Sequence, residues 1–129
     1  MVAISCEEFM LGILATLAQR RWLVVSLDKD RFDAAIEASF NLLVEMAPER
    51  GIRLNFYVMC HPTYGDSTVV RDGLARLAQW SLISFDGPTY QTVRLQMTPE
   101  FAARMMDRMG LDPDLFGPIT DRFEAIFRP

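Results

Sequence analysis

An α+β fold is predicted by two periodicities that coexist in this chain. Phe32, Ile36, Phe40, Leu43 and Ala47 recur at helical spacing. Between Tyr90 and Met97 the apolar residues instead alternate, with Val93, Leu95 and Met97 to one side and Thr92, Arg94 and Gln96 to the other. The helical and alternating patterns succeed one another within 129 residues, the size of one domain. A single domain over 1–129, with helices around a small antiparallel sheet, is therefore expected.

Each element has its own signal. Ser5 and Glu8 stand at capping-box spacing, and the helix they start carries Phe9, Ile13, Leu14 and Leu17 inward, with Arg20 and Arg21 at its end. Trp22–Leu27 fits a short buried strand or a continuation of that helix, and its valine pair favours the strand. Asp28 is expected to cap the second helix, which Pro48 and Gly51 end. Leu54–Cys60 is predicted as a strand with apolar groups on both faces. A turn follows over Thr63–Asp66, and Asp66 or Ser67 caps a third helix with Val70, Leu74, Leu77 and Ala78 inward. Leu82–Phe85 and Tyr90–Met97 form a hairpin about Asp86-Gly87-Pro88. Thr98 caps a fourth helix, whose buried face is predicted to be Phe101, Met105 and Met109 and which Gly110 closes. A last segment, broken at Gly117-Pro118, is helical to Phe127.

Within Ser67–Glu100 the paired Leu74 and Leu77 are followed by the run Trp80-Ser81-Leu82-Ile83. A hairpin tip from Phe85 to Tyr90 comes next, then a closing strand through Leu95 to Thr98. In that order these features resemble the second half of a winged-helix domain, with serine where glycine is usual. The resemblance implies a winged-helix-like core with extra N- and C-terminal helices. The second helix and the Leu54 strand would then serve as its first helix and first wing-sheet strand. Only His61–Asp66 separates that strand from the third helix, which is room for a turn. The helix that precedes a recognition helix is thus missing or reduced.

Composition bounds the function. Hydrophobic residues make up 50% of the chain and aromatic residues 11%, which excludes a disordered chain and leaves apolar surface for a second subunit. A homo-oligomer, a homodimer in its simplest form, is expected. The net charge of −4 argues against tight non-specific DNA binding, which draws on neutralised phosphates. Glu7 and Glu8 stand where a signal peptide would be basic, and the apolar run Phe9–Ala18 is too short to span a bilayer. A cytoplasmic protein without a membrane segment is expected.

Residues for catalysis do not converge in the sequence. His61 is the single histidine, and the neighbouring Cys60 would point to the other face of a strand. Cys6 and Cys60 form no CxxC pair, and with one histidine they offer no metal-ligand spacing. Asp28, Asp30 and Asp33 lack the glycine and distal glutamate of a calcium loop. Tyr64-Gly65-Asp66-Ser67 lacks the pattern of a nucleophile elbow. No enzyme, metal site or cofactor is expected.

Two binding surfaces are expected instead. Phe116, Ile119, Phe123 and Phe127 make an aromatic stripe at helical spacing that either closes the core or meets a partner protein, and Trp80 and Trp22 are further candidate anchors. A non-enzymatic adaptor or structural subunit that self-associates and docks a partner protein is expected, with the C-terminal helix and the first helix as its contacts. The alternative is a DNA-binding regulator using helix 67–80 and the wing 82–97, with Thr68, Arg71, Arg76 and Arg94 as contacts.

Overall fold

The computed structural model describes residues 2–28, 31–58, 68–86 and 91–128, the side chains of Val2 and Thr68 aside. The elements are β1 (Val2–Ile4), α1 (Cys6–Gln19), β2 (Val24–Ser26), α2 (Phe32–Arg50), β3 (Ile52–Leu54), α3 (Thr68–Gln79), β4 (Ile83–Asp86), β5 (Thr92–Leu95), α4 (Pro99–Met109) and α5 (Pro113–Phe127). The class is α+β, as expected.

α1 is the centre. Phe9, Met10, Leu11, Ile13, Leu14, Ala15 and Leu17 are all sealed from solvent, so the helix is apolar around its circumference. Such a helix has no wet side and must be enclosed; α3, α4 and α5 all pack on it. Its start is the capping box read from the sequence. The Glu8 amide donates to Ser5 Oγ at 3.2 Å, and the Ser5 amide donates to Glu8 Oε1 at 3.0 Å. One turn on, Gly12 lies so close under the Phe116 ring that a Cβ there would overlap it. The missing side chain lets α5 approach α1.

α2 packs on α5 from the other side. Phe32 meets Phe123 edge-on at 5.9 Å, and Phe9 of α1 reaches Phe40 at 6.0 Å. Arg20, at the end of α1, ties down α5 by donating to Glu124 and pairing with Asp121 at 2.9 Å. Burial disfavours the charge on Arg20, but its two carboxylate partners outweigh that and raise its pKa above the usual arginine value.

Two small sheets flank the helices. The larger has the order β2-β5-β4, antiparallel throughout. Val25, Val93 and Phe85 lie abreast across its inner face; Val24, Arg94 and Ser84 lie abreast across its outer face. The strand predicted within Trp22–Leu27 is thus real over Val24–Ser26. The smaller sheet pairs β1 with β3 in parallel, Ile4 opposite Leu54.

Several expectations are corrected. The regular strand near Leu54 spans Ile52–Leu54 and joins β1, so β2 is the third strand of the hairpin sheet and the Leu54 strand is not. The β1 segment is short and ends just before a helix cap, so it carried no alternation to read. α2 starts at Phe32 behind Arg31, and Asp28 contributes its backbone carbonyl to the Arg31 and Phe32 amides as the chain turns in. Pro48 lies within α2, which Gly51 ends in the left-handed region. α5 runs unbroken through Gly117 and Pro118. An interior proline costs roughly 3 kcal/mol. Leu115, Phe116, Ile119, Phe123 and Phe127 all bury on the same face of α5, at roughly 1.5–3 kcal/mol each, which outweighs that cost. Cys60, His61 and the turn over Thr63–Asp66 lie outside the described residues.

Candidate functional site

The apolar stripe of α5 is used internally. Phe116, Ile119 and Phe123 are inaccessible and Phe127 is nearly so. Phe123 and Phe127 stack at 5.3 Å, and Phe127 leans on Trp22 at 5.8 Å. In the folded chain these four side chains face their own core, which corrects the expectation that they form a partner surface. The same spacing that would serve a groove serves α1 and α2.

The basic residues read as DNA contacts are likewise engaged. Arg71 Nη2 donates to Asp33 Oδ1 at 2.8 Å, and its guanidinium lies 5.8 Å over the Phe32 ring. Asp33 is fully buried, so Arg71 neutralises a carboxylate inside the fold. Arg76 meets Glu7 at 3.1 Å, and Arg94 meets Asp86 diagonally across the hairpin at 2.8 Å. The side chain of Thr68 lies outside the described residues.

Trp80 is placed differently. It ends α3 with 51% of its surface exposed. The chain turns there through Ser81, whose φ of 61° puts a non-glycine residue in the left-handed region. The turn is a Schellman closure: the Ser81 amide donates to the Ala78 carbonyl at 3.0 Å and the Leu82 amide to the Leu77 carbonyl at 3.1 Å. It faces α4, which presents Phe101 42% exposed. Trp80, Ser81, Leu82, Gln96, Thr98, Phe101 and Arg104 line an open hollow of about 480 Å³. It continues into a second, of about 260 Å³, between Phe101, Arg104, Met105 and Arg108.

The orientation of α4 overturns the buried face read for it. Ala102 and Met106 face α1. Phe101 and Met109 are exposed and Met105 is half-buried, and this row lies one helical step away. Two apolar rows run along α4, at 101/105/109 and 102/106, and either satisfies helical spacing. α1 accepts the row with the smaller residues, and Met106 lies against Thr16 and Gln19 there. Arg104 and Arg108 stand one turn apart beside the exposed row, and among the described residues no carboxylate lies within 4 Å of either. The face therefore joins aromatic and thioether surface to two guanidinium groups that form no ion pair among the described residues.

Among the described residues, a cavity and a thiol remain to be placed. A cavity of about 120 Å³ is lined by the apolar Ile4, Ile52, Leu111, Leu115 and Phe116 and by Arg50 and Asp112, which pair at 3.7 Å. Burial, reinforced by Glu7 and Asp72, pushes the Cys6 thiol up to about 11, and its Sγ donates to the Val69 carbonyl at 3.7 Å. A protonated thiol is a poor nucleophile. Among the described residues no three metal-ligating side chains gather, and no helix is long and apolar enough to cross a membrane. No protein-family model, curated protein or solved structure matches the chain.

Proposed function

We propose that this chain is a non-enzymatic docking module on a winged-helix-like core, and that it presents Trp80, Phe101, Met105, Arg104 and Arg108 to a partner protein. One observation carries this reading. The apolar stripe of α5 is taken up inside the domain, while Trp80 and Phe101 stay open to solvent beside two arginines that form no ion pair within 4 Å among the described residues. Aromatic side chains and arginine dominate the energetics of protein interfaces.

The sheet order supports the winged-helix reading by a different assignment from the one the sequence suggested. With β2 beside β5, the helix before the sheet is α1, and α2 stands between β2 and α3. The helix that appeared to be lacking before α3 is then supplied by α2. The regulator alternative is disfavoured, because Arg71, Arg76 and Arg94 each meet a carboxylate of the same chain.

The test uses the full chain as bait in its native extract. Trp80→Ser with Phe101→Ser removes two exposed side chains and is expected to leave thermal unfolding within about 1 kcal/mol of wild type. A partner held by the wild type and released by this variant supports the reading. A partner held equally by both removes it.

A further inference from the structure

We infer that one occupant of this face is a second copy of the chain, seated by the outer surface of its α2. The inference rests on the docking reading above and adds the identity of a partner. Arg104 and Arg108 on α4 are spaced i, i+4. Glu45 and Glu49 on the exposed side of α2 have the same spacing, and among the described residues neither meets a cation within 4 Å. Four residues of helix rise about 6 Å, so two helices laid side by side bring both pairs into register at once, in either direction.

The apolar parts match as well. Val44, beside Glu45, is 45% exposed, and Ala38 one to two turns earlier is small and half-buried. Such a surface admits the Phe101–Met105 row of another helix closely. α4 lies against α1, α2 lies against α5, and α1 packs on α5, so the intervening α1–α5 layer separates the two outer faces. One pair of copies cannot engage both faces of each. The contact is head-to-tail, and it continues into a ring or an open chain rather than closing as a twofold dimer.

The experiment is sedimentation equilibrium of the full chain over a wide range of concentration, at low and at physiological salt. The expected result is an average mass that rises above the monomer with concentration and falls with salt, because the pairing charges are exposed. Arg104→Glu with Arg108→Glu should weaken association about tenfold or more, and Glu45→Arg with Glu49→Arg should do the same. Each variant alone then carries two faces of one sign. Mixed in equal amounts, the two variants should assemble again, because each supplies the face the other lost. Arg104→Gln with Arg108→Gln gives a milder check should a reversed charge disturb the fold. A chain that stays monomeric at all concentrations, or a mixture that fails to assemble, overturns the inference. If in that case an extract partner is still released by the Trp80 and Phe101 variant, the docking reading stands and the partner is another protein. If both experiments fail, both readings fall.

Discussion

Gly12 is where a missing side chain decides the packing. Alanine is favoured over glycine in a helix by about 1 kcal/mol, so Gly12→Ala would stabilise an isolated α1. In the protein the added methyl meets the Phe116 ring. Overpacking of this kind typically costs about 1–3 kcal/mol. Gly12→Ala is therefore expected to lower stability in denaturant titration, and Phe116→Leu in the same chain should recover part of the loss. Simple additivity of the two changes would refute the contact. Ser81 makes the opposite case. Its left-handed backbone suits glycine, and Ser81→Gly is expected to raise stability by about 0.5–1 kcal/mol without changing the fold. A loss on that substitution would mean that the serine side chain stabilises the turn. Arg71 carries a warning for mutagenesis. Reversing its charge sets a second carboxylate against the buried Asp33, so any binding lost with Arg71→Glu would report damage to the core.

At the scale of elements, α5 takes the core role of the two its stripe left open, and α4 turns outward the row read as buried. Both show apolar residues at helical spacing, and periodicity alone does not say which face meets the domain and which meets solvent. α5 is settled by its neighbours, since Phe116 needs the gap at Gly12 and Phe123 needs the edge of Phe32. Phe123→Asp is accordingly expected to unfold the chain, a cost above about 4 kcal/mol, with circular dichroism as the readout. A folded Phe123→Asp protein would return α5 to the list of partner surfaces. The caps at Ser5 and Thr98 and the inward row Val93, Leu95 and Met97 were legible because each depends on residues close in sequence. β1 and its parallel pairing with β3 were not, because the partners are about fifty residues apart and each strand is three residues long. The outward turn of α4 was hidden for a related reason: choosing between its two apolar rows requires knowing the shape of α1.

For the whole molecule, charge is the quantity that separates partners. The net charge is −4, and the three arginines on α3 and the hairpin each meet a carboxylate, whereas Arg104 and Arg108 form no ion pair among the described residues. In fluorescence anisotropy, a mixed-sequence DNA duplex is expected to show no binding tighter than about 100 μM at physiological salt. Micromolar binding with a steep salt slope would restore the regulator alternative. The α+β class and the hairpin were readable from the chain because they rest on local patterns. Which strand completes the sheet depends on the path of α1, a property of the assembled core.

The two tryptophans sit in opposite circumstances. Trp22 is held between Phe127 and the Arg128 guanidinium, 3.9 Å above its ring, where the chain's last helix ends. Trp80 stands open at the edge of the α4 hollow. The protein thus carries two intrinsic optical probes with separate subjects. Emission from Trp22 follows the docking of the C-terminal helix during unfolding. In a Trp22→Phe chain the remaining indole emits from water, and its shift to shorter wavelength would register occupancy of the hollow without any attached dye.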